Sequence, residues 1–200
     1  MSYEQFVEVL KDEVQISALA FMAVMYAIKI AQLLKRKPIV DRTPKRGDPD
    51  AGMRYSLMLV AMPWEMQSYQ TQPLRYVEFA LFHLGVASAI LATFLIPYVP
   101  RAMLLPVIKV PCLILTAAGS VCGVLRFLRR IRSSAMRAFS SVDDYFTIVL
   151  LDAYLLSAFL AIPHSTTTHW TVVLFFLMTT FFLIYVPFSK ISHYLLWPFA

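Results

Sequence analysis

The chain has 200 residues, of which 59% are hydrophobic and only 15% are charged. One soluble core of this length could not bury so much apolar surface, and the charges lie in short blocks between long apolar runs. The formal net charge of +6 comes mainly from Lys and Arg residues beside those runs, where they indicate membrane orientation rather than nucleic-acid binding.

Five apolar runs are long enough to cross a bilayer, because about 20 helical residues span ~30 Å of hydrocarbon. They cover about residues 14–34, 76–98, 103–127, 142–162 and 169–194. We therefore expect an all-α fold, a polytopic bundle of five transmembrane helices that forms a single membrane-embedded domain over residues 1–200. Acidic residues precede the first run and no small-residue cleavage site follows it, so we expect this run to remain as an anchor.

Two segments between and within the runs predict irregular structure. Residues 37–52 read as a polar linker, and residues 53–69, interrupted by Pro63, predict an interfacial helix that is too short to span. In the fifth run, Pro187 predicts a kink in a helix that then resumes. Cys112 and Cys122 share one run ten residues apart, so they are not expected to pair, and neither belongs to a CxxCH haem-attachment motif.

The connections between the runs differ in their cations, which predicts the orientation. One side holds most of the basic residues: Lys35, Arg36, Lys37, Arg42, Lys45, Arg46, Arg54, Arg75, Arg126, Arg129, Arg130, Arg132, Arg137 and Lys190. The other side holds Lys11, Arg101 and Lys109. By the positive-inside rule the basic side is cytoplasmic, so we expect the N-terminus outside and the C-terminus in the cytoplasm. A prokaryotic cytoplasmic (inner) membrane is our separate expectation for the location.

Two histidines are expected at the same depth. His83 lies eight residues after Arg75, or ~12 Å along its helix, and His193 lies near the cytoplasmic end of the fifth run, four residues before Trp197. Two neutral imidazoles at one level can supply both axial ligands of a haem, and nearby Ala80, Gly85 and Ala87 would let a flat ring approach. The alternative is that His83 bonds a neighbouring helix and His193 is an ordinary interfacial residue.

The C-terminal string VPFSKISHYLLWPF, from Val186 to Phe199, resembles the gamma subunit of membrane-bound respiratory nitrate reductase. It also resembles the related membrane cytochrome b subunits linked to heterodisulfide and sulfite reductases. The resemblance covers about fourteen residues, His83 and the five-span topology. It implies that His83 and His193 ligate the iron of a haem b and that quinol or quinone is the substrate.

The resemblance also has a departure. The nitrate reductase subunit carries a second histidine pair farther outward, and the matching positions here are near Thr93 and Phe175, neither of which ligates haem iron. We therefore expect one haem b. Four basic side chains are candidates to contact its propionates: Lys190, Arg126, Arg129 and Arg130.

Other polar residues are weaker candidates. Asp152, about two turns inside the fourth run, could accept a quinol proton or could simply bond a neighbouring helix. Glu78 lies near enough to the surface to reach it. His164 and His169 fall in the outer connection, where they are solvated loop residues, a quinol proton acceptor or a contact for an outer partner. Gly119 and Gly123 form a GxxxG face that favours close helix packing.

These features predict an electron-transfer subunit of an oxidoreductase complex, since no soluble catalytic motif is present. Its expected neighbours are membrane lipid, quinone and, in a hetero-oligomeric complex, a cytoplasmic iron–sulfur subunit by resemblance, with an outer-face cytochrome as the alternative. A different class of function is a haem-free membrane anchor or scaffold subunit of a larger complex. A small transporter is a third, although no inverted repeat is visible.

Overall fold

The computed structural model describes residues 1–36, 47–59, 62–65 and 67–196. Within these residues the chain is helical and contains no strand. Five helices are long and apolar enough to cross a membrane: Tyr3–Lys35, Pro73–Tyr98, Pro106–Arg132, Val142–His164 and Trp170–Phe188. These helices match the five predicted runs and identify an integral membrane protein. Most of the predicted linker, residues 37–46, and Trp197 lie outside the described residues.

Helix α1 (Tyr3–Lys35) begins eleven residues before the predicted apolar run. Ser2 caps it in a capping box with Gln5, so the polar N-terminal turns continue the same helix. A π-helical turn, Leu10–Val14, interrupts the α-helical pattern just before the apolar part. The run of apolar residues therefore marked where the helix enters hydrocarbon, not where it starts.

The region of the predicted interfacial helix contains two short helices, α2 (Pro49–Leu59) and α3 (Gln67–Thr71), with a 3₁₀ turn at Pro63–Glu65 between them. Pro63 thus stands at the break that its missing N–H favours. Met53, Trp64 and other large side chains here are exposed. Their location at the membrane surface stays a prediction.

The remaining spans are antiparallel neighbours joined by short connections. They are α4 (Pro73–Tyr98), α5 (Pro106–Arg132), α7 (Val142–Ala161) and α8 (Trp170–Tyr185), with the short helices α6 (Ser134–Phe139) and α9 (His193–Leu196) beside them. Helix α4 packs on α5, α5 on α7, α7 on α8, and α8 on α1. The five spans therefore form an arc whose two ends, α4 and α1, flank a cavity.

Glycines bring α4 and α5 into direct backbone contact. A Cβ atom at Gly85 would lie 2.7 Å from the carbonyl oxygen of Leu115 and 2.9 Å from the Cα of Gly119. Only glycine fits this crossing, as the predicted small-residue face of α5 requires. The close contact holds α4, which lines the cavity, against α5.

The opposite face of α5 is directed outward. Val107, Ile114 and Val121 recur every seven residues on the helix and are 76%, 61% and 59% exposed. A soluble protein would place such a stripe against another element, whereas a bilayer solvates it. The stripe therefore supports hydrocarbon as the environment of this helix.

Helix α8 ends at Tyr185 rather than kinking at Pro187. A 3₁₀ turn, Val186–Phe188, is followed by extended backbone at Ser189 (φ −103°, ψ 169°) and a second 3₁₀ turn, Lys190–Ser192. The Ser189 hydroxyl accepts a hydrogen bond from the N–H of Ile191 at 3.2 Å, which starts the new turn. The helix resumes only at His193, so the predicted kink is a complete break.

Candidate functional site: a cavity lined by two histidines

A cavity of about 550 Å³ lies between α1, α4, α7 and α8. Along α4 its lining runs from Phe79 to Tyr98, which at 1.5 Å per residue is ~28 Å. Its walls are mainly apolar, and its polar lining falls at the two ends. We call the end near Lys190 and the C-terminus of α5 the basic end, and the end near Tyr98 the neutral end.

His83 lines the basic end of the cavity and is exposed. Its Nδ1 lies 2.8 Å from the carbonyl oxygen of Phe79, one turn earlier on α4. The Phe79 and Phe82 rings flank the imidazole, with ring centroids 4.0 Å and 5.9 Å from its own. Hydrogen bond and ring contacts together hold His83 in one orientation.

His193 lines the same end from the first residue of α9. Its Nδ1 lies 3.2 Å from the carbonyl oxygen of Lys190. His193 is also within Coulombic range of His83. The two imidazoles that the sequence placed at one depth therefore meet at one cavity.

The hydrogen bonds of both histidines assign the tautomer. A backbone carbonyl only accepts, so the Nδ1 atom of each neutral ring carries the hydrogen and donates it. The Nε2 atom then keeps a lone pair. An imidazole whose other nitrogen is tied to a backbone carbonyl is the usual arrangement of a metal-ligating histidine, which suits these two residues to an iron centre.

Arg126 provides a cation at the basic end. It lines the cavity, and its guanidinium carbon lies 4.9 Å from the centroid of the Phe82 ring. Among the described residues it forms no ion pair. This arginine can therefore meet an anionic group of a bound molecule without giving up a carboxylate.

Lys190 and Arg130 also line the basic end, but both already contact Asp144. The Nζ atom of Lys190 lies 3.1 Å from Asp144 Oδ1 and 2.9 Å from Ser141 Oγ. Arg130 lies 3.8 Å from Asp144 Oδ2 and donates to Ser140 Oγ at 2.7 Å. The candidate propionate contacts are thus unequal, since two of the three cations at the cavity share one acid.

Arg129, the fourth candidate, does not line the cavity. It forms a bidentate ion pair with Glu78, with distances of 2.6 Å and 3.0 Å, between α5 and α4. Glu78 lies near the start of α4 and Arg129 near the end of α5, which places them level in antiparallel helices. Sequence reasoning treated the two residues separately and missed the pair, although their matched distances from the helix ends carried the signal.

Asp152 also lies away from the cavity. It faces α5, where a Cβ atom at Gly123 would lie 2.7 Å from its Oδ1. The Ser120 hydroxyl is near its carboxyl group, while Oδ1 itself is buried with no hydrogen-bond partner among the described residues. The structure therefore does not bring Asp152 together with His83 and His193.

Thr93 and Phe175, which the expected resemblance matches to a second histidine pair, carry side chains that pack within the bundle. Thr93 Oγ1 lies 3.2 Å from the hydroxyl of Tyr154, and Phe175 is fully buried. The ring of Tyr154 stacks on that of Phe175 at 5.6 Å between centroids. Tyr154 thus fills the space between Thr93 and Phe175.

The neutral end of the cavity joins α1 to α4. Tyr98 is 50% exposed there, and its hydroxyl donates to Asp12 Oδ1 at 3.1 Å. Gln15 lines the same end, with its side-chain amide donating to the carbonyl of Phe176 at 3.0 Å. Asp12 belongs to the π-helical turn of α1, and such turns are frequent at functional sites.

His164 and His169 lie outside the cavity. Their rings stack with centroids 4.1 Å apart and an interplanar angle of 21°. The Nδ1 of His169 accepts the N–H of Thr171 at 3.4 Å and so caps α8. These two histidines pair with each other at the connection between α7 and α8.

Known proteins do not indicate the role of this cavity. Comparison with protein-family models, with curated proteins and with solved structures found no match for the chain. In the part of the chain that the structure describes, no group of three or more His, Cys, Asp or Glu side chains could hold a metal ion. A haem iron needs only two protein ligands, which a pair such as His83 and His193 can supply.

Proposed function

We propose that this chain is the b-type cytochrome subunit of a membrane redox complex, with one haem b in the basic half of the cavity. One observation carries the proposal: His83 and His193 line the same apolar cavity, and each has its Nδ1 tied to a backbone carbonyl. The C-terminal resemblance to the nitrate reductase gamma subunit supports the same assignment.

The residues at the cavity fit such a group. His83 and His193 would ligate the iron through Nε2, and Arg126 would meet a propionate. Lys190 and Arg130 could contribute only by sharing their contacts with Asp144. A bound haem b supplies one-electron transfer, and the apolar walls would exclude water from it.

The neutral half of the same cavity suits quinol or quinone. Its walls are apolar, and the Tyr98 hydroxyl is half-exposed and bonded to Asp12. The phenol oxygen can accept a hydrogen bond from a quinol hydroxyl while its own hydrogen goes to Asp12. Because Asp152 faces α5 instead, we assign the proton-accepting role to Tyr98 and Asp12 in its place.

The remaining parts of the proposal concern the cell. The basic end would face the cytoplasm of a prokaryote, with α1 starting outside, by the positive-inside rule. A cytoplasmic iron–sulfur subunit would then exchange electrons at the basic end, and the exposed arginines there favour an acidic docking surface. An outer-face cytochrome is the alternative partner.

A reduced-minus-oxidised absorption spectrum of the purified protein tests the proposal. The wild-type chain should show a b-type α band, and His83→Ala and His193→Ala should each abolish it. His164→Ala and His169→Ala are matched controls, since these histidines lie outside the cavity, and both should keep the band. A wild-type protein without the band, or a band retained in either cavity variant, would contradict the proposal and favour the haem-free anchor.

A further inference from the structure

The segment that carries His193 is not held by helix geometry. Helix α8 ends at Tyr185, and seven residues separate it from His193: two 3₁₀ turns with the extended Ser189 between them. A ligand on a continuous helix is placed by its neighbours one turn away, as His83 is placed by Phe79. His193 needs another means of support.

Two lysines supply contacts to this segment from opposite sides. Lys29 of α1 donates to the carbonyl oxygen of Pro187, and its Nζ lies 5.6 Å from the centroid of the Phe188 ring. Lys190, within the segment, reaches across to the start of α7. Both contacts are made by charged donors, which form stronger hydrogen bonds than neutral ones.

The contact of Lys190 with α7 is the more specific of the two. Its Nζ donates to Asp144 Oδ1 at 3.1 Å and to Ser141 Oγ at 2.9 Å. Asp144 is itself fixed, because its Oδ2 accepts the N–H of Ser141 at 2.8 Å in the capping box of α7. Lys190 is therefore bonded to both members of the capping box that starts α7.

The same lysine contacts His193 through its backbone. The carbonyl of Lys190 accepts the Nδ1–H of His193 at 3.2 Å, so the residue that bonds Asp144 with its side chain orients the imidazole with its main chain. A displacement of Lys190 would move its carbonyl and turn the ring. The chain of contacts runs from Asp144 through Lys190 to His193.

We propose that Asp144 is a positioning residue for His193, acting through Lys190. The ion pair replaces the helical continuity that Pro187 and Ser189 interrupt, and it sets the angle at which the imidazole faces the cavity. This inference rests on the proposed function, because His193 matters as a ligand only if a haem is bound.

We call the contact of Lys190 with Asp144 the tether. Amide hydrogen exchange of the full-length purified chain tests the tether whether or not haem is bound. In Lys190→Met and Asp144→Asn, the peptide covering residues 186–193 should exchange about fivefold faster, the upper end of what an ion pair with an exposed lysine contributes. Lys190→Met leaves the capping box of α7 intact and therefore separates the tether from helix capping. The double variant should exchange no faster than either single variant, because both remove the same contact.

Asp143→Asn is the matched control. Asp143 carries the same charge one residue earlier, but lies 3.9 Å from Lys190 and also contacts Tyr185. It should leave exchange of the 186–193 peptide within twofold of wild type. Equal acceleration in Asp143→Asn, or no acceleration in Lys190→Met, would overturn the tether.

Electron paramagnetic resonance of the oxidised protein tests the positioning role. The g values of a low-spin ferric haem depend on the angle between its two imidazole planes, so both tether variants should shift the largest g value, and Lys190→Arg should restore it. Faster exchange with unchanged g values would reduce Asp144 to a structural cap. A wild-type protein with no haem signal would instead refute the proposed function while leaving the exchange result valid.

Discussion

The two ends of the cavity differ in charge although one set of helices builds both. All of the charged side chains that line it, Arg126, Arg130, Asp144 and Lys190, are at the basic end with the two histidines. The neutral end is lined instead by hydroxyl, phenol and amide groups, such as those of Thr93, Tyr98 and Gln15. One end suits an anionic cofactor with a metal, and the other suits an uncharged ligand.

This difference follows from the unequal number of cations at the two ends of the spans. Charges are tolerated at the ends of spans, where long side chains reach water and one another, and are costly farther inside. The histidines and arginines cluster where α5 ends and α7 begins. At the neutral end, the acid that bonds Tyr98 is Asp12, from the polar first turns of α1. The two ends therefore allow separate substitutions that should affect separate functions.

The largest effect is expected for Arg126→Gln at the basic end. It removes the cation that forms no ion pair with a carboxylate of the described residues. A hydrogen bond to a charged group contributes about 1.5–3 kcal/mol, or roughly tenfold to a hundredfold in haem affinity. Haem titration of the apoprotein measures this loss. Arg129→Gln is the control, because its partner Glu78 lies outside the cavity. An equal loss in both variants would remove Arg126 as a specific contact.

Gly85→Ala is expected to lower the stability of the whole bundle rather than to affect one end of the cavity. The new Cβ would lie 2.7 Å from the Leu115 carbonyl and force α4 away from α5, at a cost of about 1–3 kcal/mol. A thiol-reactive dye reports the melting temperature, because Cys112 and Cys122 are buried until the bundle opens. Gly52→Ala, with nothing near its Cβ position, should leave the melting temperature unchanged. Equal melting of the two variants would contradict the close contact.

A smaller effect is expected for Tyr98→Phe at the neutral end. Loss of the hydroxyl that bonds Asp12 should slow haem reduction by a quinol analogue about tenfold, with the absorption spectrum unchanged. This is less than the hundredfold or more typical of a lost acid–base group, because Asp12 remains to accept the proton. Stopped-flow absorption measures the rate. Asp152→Asn should alter that rate less than twofold because Asp152 faces α5. Slower reduction in Asp152→Asn than in Tyr98→Phe would return the proton-accepting role to Asp152.

The last prediction concerns which end of the cavity faces the cytoplasm, and its test does not depend on the activity of the protein. Thr167→Cys, in the connection before α8, should react with a membrane-impermeant maleimide added to intact cells. Arg137→Cys, in α6 at the basic end, should react only after the membrane is opened. The native cysteines are buried and give a low background. The reverse labelling pattern would invert the proposed orientation.

The sequence predicted the spans well because their signal is local. A run of apolar residues of the right length has one stable solution in a bilayer. Each run contains a helix, and the main differences are the early start of α1 and the early end of the fifth span at Phe188. The sequence also predicted a common depth for His83 and His193, since the rise per residue converts a position in a helix into a depth. That both residues reach one cavity is a property of the packed bundle.

What the sequence could not supply depends on which helices are neighbours. Three contacts could be predicted only by knowing the order of the helices around the arc. They are the Glu78–Arg129 pair, the Asp144–Lys190 pair and the contact of Asp152 with Gly123. The break after Pro187 depends on a further local detail, because a proline in a span is compatible with a kink or a stop. The Ser189 hydroxyl, which caps a new turn, decides between them.

The bonds between α1 and α8 impose an order of assembly. The amide of Gln15 and the ammonium of Lys29, both on α1, donate to the carbonyl oxygens of Phe176 and Pro187, about 160 residues later in the chain. Helices α4 and α5 meet through glycines close in sequence and can pair as soon as both are inserted. Helix α1 cannot form these bonds before the span that carries Phe176 is inserted, so the cavity closes only after that span joins the bundle.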